Sequence, residues 1–460
     1  MIPLPPDIQP LIESLDHHHI TPVLVGGYVR DALIGHSTAD IDIELYGVTS
    51  LEKLESILKP FGKLNAVGKS FGVLKLAYKG LSIDFSPPRI ESKQGFGHKG
   101  FEVKWFSELD FATAAARRDF TINAIGYNPL TKTFLDPVGG REDLKNRRLA
   151  YVDPKTFVED PLRVLRAVQF AARFDLQCDD NLLHLCRDMI AKGALNELPK
   201  ERIFEELKKL LLLAPKPSIG LSLLKKMGGL TFFTPLEKLE FTKQDPFSHP
   251  EGDVWTHTLM CVDEMANMRT SDPKRNITLM LAALLHDIAK PVTTVIFDGV
   301  LNAPSHAEKG VETARIWLSR ITEEKSLIEA VLPLIRHHGT PRKLYRCHAE
   351  DRDILRLSTQ VCIEDLILLA QADFFGRTFL TKIPHRFEAG EWLYERADAL
   401  GVLRSPPKPL LMGRDLIAHK MTPSEEFKSI LDAAYEAQLN LEFTTRQQAQ
   451  EWLKFCLERG

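Results

Sequence analysis

The sequence predicts an α+β chain, with a head built on a mixed β-sheet followed by helices to the end. Three observations predict it. Short strand-like and helix-like pieces alternate over residues 1–140, helical periodicity takes over from about Asp160, and a histidine-rich helical block occupies 245–378. The prolines of SPPKP at 405–409 mark a further junction. At 460 residues the chain exceeds one ordinary core. The expected divisions are 1–140, 141–244, 245–378 and 379–460.

The elements follow in order. TPVLVGG is a β run ending in Gly26 and Gly27, and YVRDALIG reads as one or two helical turns stopped by Gly35. DIDIELYG alternates, with Ile41, Ile43 and Leu45 on one face and Asp40, Asp42 and Glu44 on the other. GVLKLAYKGLSIDFS reads as a hairpin. RIESKQGFGHKG is polar and glycine-rich and reads as a mobile loop. Later, DPLRVLRAVQFAARF has Asp160 at a helix cap and Pro161 at the first turn, with Leu162, Leu165, Val168 and Ala172 as its apolar stripe. LPKERIFEELKKLLLL is a second helix.

Composition bounds the function. The chain is 44% hydrophobic and 26% charged, as soluble globular proteins are. A net charge of −3 argues against a basic coat over the whole surface. Residues 141–230 hold 17 Lys and Arg against 13 Asp and Glu, which leaves room for a local phosphate-rich partner. The six cysteines show no CxxC spacing and read as reduced thiols. No apolar run reaches membrane-spanning length, and MIPLPPDIQP lacks a signal pattern, so no membrane association and a cytoplasmic location are expected. His17, His18 and His19 have no spaced partners and read as an exposed helix end.

Residues i and i+2 of a strand point to one side, so Asp40 and Asp42 present two carboxylates to one pocket. Such a pair suits Mg²⁺, a hard cation that takes oxygen ligands and keeps phosphate oxygens in its shell. Gly26 and Gly27 lack Cβ atoms, so their backbone N–H groups can approach a phosphate. Arg30 is a candidate triphosphate clamp held by Asp31, and Asp84 a candidate third carboxylate.

With GGYVRDALIG and DIDIELYG come RRDFTINAIGYN at 117–128, DPVGGREDL at 136–144, EDPLRVLRA at 159–167 and PKERIFEEL at 199–207. In this order they resemble the bacterial-type tRNA nucleotidyltransferases, the CCA-adding enzymes, and the related bacterial poly(A) polymerases. The resemblance implies Asp40 and Asp42 as metal ligands, Gly27, Arg30 and Arg118 at the nucleotide, and Asp119 near its ribose. Asp160 and Arg163 lie on one helix face. A carboxylate beside a guanidinium complements the pairing edges of cytosine and adenine, and it meets like groups on guanine and uracil. The family's EDxxR motif serves that role, with Arg166 nearby. The stretch departs from the family at Gln169, where Arg is usual. RIESKQGFGHKGFEV is similar to a family loop linked to the switch from C to A, with Arg89 as its basic candidate.

A second constellation follows. HPEGDVWTHTLM, LAALLHDIAKP, SHAEKG, IRHHG and LAQADFFGR supply His257, His286, Asp287 and Asp373, with His306, His337 and His338 between them. These are imidazole and carboxylate donors for a divalent metal such as Mg²⁺, Mn²⁺ or Ni²⁺. The ordered set resembles the HD-superfamily phosphohydrolases, which implies attack of a metal-bound water on a phosphate ester, with Lys290 steadying the anion. The family suggests 2′,3′-cyclic phosphate, 2′-nucleotide or other phosphatase activity. The last helices resemble the C-terminal piece of bacterial members.

The expected function is therefore transfer of CMP and AMP from CTP and ATP to the tRNA 3′ end, by a monomer or homodimer. The alternatives are an A-adding or poly(A) polymerase, an HD hydrolase whose head only binds RNA, and a non-catalytic RNA-binding protein.

Overall fold

The computed structural model describes the chain except residues 1, 3, 37, 39, 69–72, 94–100, 106–108, 380–385 and 460; at 66–68, 89–93, 101–105 and 459 it describes the backbone alone. Two compact units result, Met1–Thr234 and Pro235–Gly460.

The first unit opens on a seven-stranded mixed sheet. Its strands are β1 (Thr21–Val25), β2 (Asp40–Tyr46), β3 (Lys63–Gly68), β4 (Val73–Tyr78) and β5 (Leu81–Ser86), then β8 (Gly126–Asn128) and β9 (Thr133–Leu135). A separate ribbon pairs β6 (Arg89–Lys93) with β7 (Phe101–Trp105). The sheet runs β3-β4-β5-β2-β1-β8-β9, and β2–β5 is its parallel pair. The alternation of β2 sets its two faces. Ile41, Ile43 and Leu45 are buried with Leu24, Leu74, Ile83 and Phe85, while Asp40 and Asp42 face solvent. The β4–β5 hairpin turns at Lys79 and Gly80, both at positive φ, which fits a two-residue turn.

One expectation changes here. The stretch from Arg89 was read as a loop, yet Arg89–Lys93 and Phe101–Trp105 pair as antiparallel strands. The aromatic and β-branched residues of FEVKW favour that ribbon more than the intervening glycines suggested. Residues 94–100 and the Arg89 side chain lie outside the described residues.

Four longer helices follow the sheet, at Leu162–Phe174, Asp180–Ala191, Lys200–Leu213 and Pro217–Lys226. The first packs against the third and fourth through Val164, Ala167, Val168 and Ala171, all buried. Asp160 caps it, accepting from the Leu162 N–H at 3.1 Å.

The second unit is largely helical. Val254–Asn267, Pro273–Leu285, His306–Ile321, Lys325–His337 and Ile363–Phe375 pack around the histidine-rich block, and Glu388–Ala399 packs on Ile363–Phe375. Gly413–Ala418, Glu425–Leu439 and Arg446–Arg459 share a smaller core with Leu416, Phe427 and Leu453. Among the described residues no helix is long and apolar enough to cross a membrane.

Candidate functional site

In the first unit the register of two strands assembles the carboxylates. Asp40 and Asp42 share a face of β2, and Asp42 stands opposite Asp84 in the parallel pairing with β5. Lys75 of β4 holds Asp84, with Nζ 2.6 Å from Oδ2. The carboxyl of Asp42 is raised above the usual range, first by desolvation in its cleft, then by the Asp84 charge, with Arg118 opposing and Asp40 adding. Carboxylates gathered here, with Asp42 resisting its own charge, are a fit place for a divalent cation.

Gly26 ends the strand and starts the helix Gly26–Leu33 at φ +67°. A Cβ there would sit 3.4 Å from both Asp42 Oδ2 and Arg118 Nη1. Glycine therefore lets the backbone lie against the acids without left-handed strain. Beside this turn is a cavity of about 360 Å³, walled by Gly26, Gly27, Arg118, Asp119, Arg166 and Gln169 among others. A second, of about 310 Å³, shares Asp42 and Arg118 with it. Arg118 is aimed by Glu44, at 2.7 Å, and by the Asn123 carbonyl, at 3.1 Å.

Arg30 differs from the expected clamp. Asp31 does hold it, at 2.8 and 2.6 Å, but Nη1 also donates to Asn123 Oδ1 at 2.6 Å. Its guanidinium lies 4.3 Å from the Phe174 ring centroid and the residue is 4% exposed. Arg30 therefore forms wall, and Arg118 is the more open cation. Asp119 is likewise engaged. Oδ1 accepts from Asn123 and the Phe120 N–H, and Oδ2 lies 2.6 Å from Arg166 Nη2. Burial pushes its carboxyl up, but Arg166 and these donors outweigh burial and hold it below the usual range.

Asp160 and Arg163, expected side by side on one helix face, each engage other groups. Arg163 donates to the carbonyls of Thr156, at 2.8 Å, and Arg117, at 2.9 Å. Asp160 is paired instead with Arg202, at 3.0 Å. Sequence spacing put both on one face, but long side chains choose partners from other elements. Gln169 is 2% exposed, and its Nε2 has no hydrogen-bond partner among the described residues, so an unused donor lies in the cavity wall.

The second unit gathers His257, His286, Asp287 and Asp373, all buried. His257 Nε2 is 3.1 Å from Asp373 Oδ1, and His286 Nε2 is 3.2 Å from Asp287 Oδ2. Asp287 also groups with His306 and His338, its Oδ1 3.5 and 3.9 Å from their Nε2 atoms. His338 thus fills the place expected of His337. Consecutive helical residues point about 100° apart, and His337 turns to Thr340 instead.

The donor set passes a test for metal. His286 Nε2 and both Asp287 oxygens are buried without a hydrogen bond among the described residues, although Lys290 Nζ forms an ion pair 2.7 Å from Oδ2. Burial opposes the charge on His286, but Asp287 beside it raises it to about 10. Burial also opposes the Asp287 carboxylate, but His286 and Lys290 hold it well below the usual range. Ring protons here stand where a divalent cation would neutralise the acids. His338, pushed down to about 4 by burial and by His286, offers a neutral ring.

Sequence reading missed several partners. Glu251 accepts from His257 Nδ1 at 3.0 Å, which turns Nε2 toward the cluster. Arg342 and Arg377 hold Asp373 at 3.2 and 2.8 Å. The adjoining cavity, about 520 Å³, is lined by Lys290, Arg342, Lys343, Arg346 and Arg377 as well as the acids and histidines, a setting for an anion.

Comparisons with known proteins accord with both sites. Residues 23–150 match the family "Poly A polymerase head domain", 175–237 match "Probable RNA and SrmB- binding site of polymerase A", and 254–375 match "HD domain". The chain is 34% identical to a multifunctional CCA protein of Halorhodospira halophila over 68% of itself and 72% of the relative. It is 31% identical to one of Vibrio vulnificus over 79% and 87%. In fold it is similar to the Bacillus stearothermophilus CCA-adding enzyme in complex with CTP (TM-score 0.67, 20% identity, 99% of each chain). A Thermotoga maritima CCA-adding enzyme complexed with tRNA gives a TM-score of 0.59 at 20% identity, over 99% of this chain and 96% of that one.

Proposed function

Since the chain belongs to the family of the multifunctional CCA proteins, the CCA-adding tRNA nucleotidyltransferases, we propose that its two sites divide the work of building and trimming a tRNA 3′ end. The protein is an enzyme that adds CMP, CMP and AMP to that end from CTP and ATP. The observation that carries this reading is Asp42 set against the glycine turn and Arg118, with Asp84 opposite it and Asp40 on the same strand face. The tRNA 3′-hydroxyl attacks the α-phosphate, and the bond to the β-phosphate breaks to release pyrophosphate. Asp40 and Asp42 would hold Mg²⁺, which when bound would supply positive charge to the attacking hydroxyl and the departing pyrophosphate. Gly26 and Gly27 give room and backbone donors to the triphosphate. Arg118 meets the nucleotide, while Arg30, Asn123, Asp119 and Arg166 keep the wall rigid. Asp160 and Arg163 read the base, with Asp160 exchanging Arg202 for it.

The four divisions 1–140, 141–244, 245–378 and 379–460 act in this scheme as nucleotidyl transfer, base and tRNA contact, phosphohydrolysis and helical support. The spans of the three matched families support the first three. His257, His286, Asp287 and Asp373 hold a divalent metal, with His306 and His338 at its side. That metal would supply Lewis-acid chemistry for hydrolysis of a phosphate ester such as a 2′,3′-cyclic phosphate, and the basic cavity would receive the anion. The protein works in the cytoplasm.

The test uses purified protein, Mg²⁺ and a tRNA lacking its last three nucleotides. CTP, ATP, both or neither is added and the 3′ ends are sequenced. Ends stopping at CC with CTP alone and at CCA with both are expected. A long A tract would make the enzyme a poly(A) polymerase. No extension, beside cleavage of a cyclic phosphate, would leave the head as an RNA grip.

A further inference from the structure

The helix Val254–Asn267 carries a sulfur atom into the histidine cluster. Cys261 stands four residues after His257, hence on the same helix face, and is fully buried. Its Sγ is 3.3 Å from His257 Nε2. One donor atom from each of His257, Cys261, His286 and Asp373 lies within 4.8 Å of every other. His286 Nε2, 1% exposed as a residue, has no hydrogen-bond partner among the described residues. Gly376 brings the chain after Asp373 against the Cys261 backbone, since a Cβ at Gly376 would come within 2.7 Å of Cys261 N and Cα.

We propose that the Cys261 thiolate is a direct ligand of the metal held by His257, His286 and Asp373, which makes this a site for Zn²⁺, Co²⁺ or Ni²⁺ rather than Mg²⁺. The proposal rests on the metal reading of this cluster. A tetrahedral ion with a sulfur at about 2.3 Å and nitrogens or oxygens at about 2.0–2.1 Å sets S···N near about 3.6 Å and N···O near about 3.3 Å. The observed edges are 3.3 Å for Sγ to His257 Nε2 and 3.1 Å for that nitrogen to Asp373 Oδ1. Both edges match that ion to within a few tenths of an ångström, and every other edge of the set is 4.8 Å or less. Asp287 Oδ2 lies 3.2 Å from His286 Nε2 and 3.9 Å from His257 Nε2, so the sulfur joins Asp287 as a further donor around this ion. A thiolate and two imidazoles select borderline-soft cations, whereas Mg²⁺ demands an oxygen shell. The sulfur faces the imidazole nitrogen at 3.3 Å, closer than the Gly376 carbonyl oxygen at 3.8 Å.

The test strips the full chain with a chelator and restores one equivalent of Co²⁺. A thiolate-to-cobalt charge-transfer band in the near ultraviolet is expected beside the visible ligand-field bands. Cys261→Val and Cys261→Ser are expected to lose the charge-transfer band and keep the visible ones, which report an intact histidine site. Cobalt bound by the unmodified chain with ligand-field bands alone would overturn thiolate ligation and leave the metal reading standing. A charge-transfer band undiminished in both variants would assign it to another cysteine and overturn the proposal too. No cobalt bound by the unmodified chain would remove the metal reading along with it.

Discussion

Asp160 Oδ2 lies 3.0 Å from Arg202 Nη2, so the carboxylate expected to read a base is already paired with a cation from another helix. That pair is one-third exposed or less on each side, and an incoming cytosine or adenine amino group competes for the same oxygens. Asp160→Ala is expected to erode the preference for CTP and ATP over GTP and UTP by roughly tenfold to a hundredfold, the worth of about 1–3 kcal/mol of mismatched polar contact. Arg202→Ala keeps the carboxylate and is expected to keep most of the preference. Competition among the four nucleotides, read at the 3′ end, checks both. An unchanged ratio in the Asp160 variant would refute base reading by this residue.

Asp42 carries a charge that the cation-free fold resists, because desolvation and Asp84 raise its carboxyl. Asp42→Asn should therefore raise the melting temperature of the metal-free protein while cutting nucleotide addition by at least about a hundredfold. Added Mg²⁺ should stabilise the unmodified protein more than the variant. Thermal melts with and without Mg²⁺ decide the matter, and a variant less stable than the parent without Mg²⁺ would contradict it.

Asp119 makes the opposite case. Its folded carboxyl lies below the usual value, where Arg166 and the neighbouring donors hold it despite burial. Its stabilising charge is thus complete above the unfolded value near about 4 and is lost as pH falls through the lower folded one. Asp119→Asn should cost on the order of 2 kcal/mol at neutral pH. The gap to the parent should close as pH drops below about 4. Urea unfolding across that range measures the gap, and a constant gap down to pH 3 would rule out the charge as its source.

Gly376→Ala would force a Cβ to within 2.6 Å of the Ala372 carbonyl and 2.7 Å of Cys261 backbone, neither of which can swing away. Overpacking of this kind costs about 1–3 kcal/mol. Cyclic-phosphate hydrolysis should fall while CTP incorporation persists in the same preparation. Equal loss of both would point to general misfolding instead.

Much of this was legible in sequence where one element suffices. The alternation of β2 marked Asp40 and Asp42, and the glycines marked the turn. Asp84 could be put on a strand, but only the parallel register sets it opposite Asp42. Partners from remote segments were out of reach, since nothing local says that Arg202 reaches Asp160 or that Asn123 ties Arg30 to Asp119. The choice between His337 and His338 turned on helix phase at the very end of Lys325–His337, where one residue decides the direction. Cys261 escaped notice because cysteines were judged by their spacing from one another, and its partners are histidines.

The two faces of β2 tie folding and catalysis to one event. Ile41, Ile43 and Leu45 are among the most deeply buried side chains of the head, and the acids occupy the positions between them. Slipping this strand by one residue would drop aspartates into oil and set isoleucines in water. Such a molecule would not persist as a sluggish enzyme, because it would not fold. Heat or a damaging substitution should therefore thin the number of working molecules and leave the turnover of each survivor unchanged. Active-site titration reports that number separately from rate.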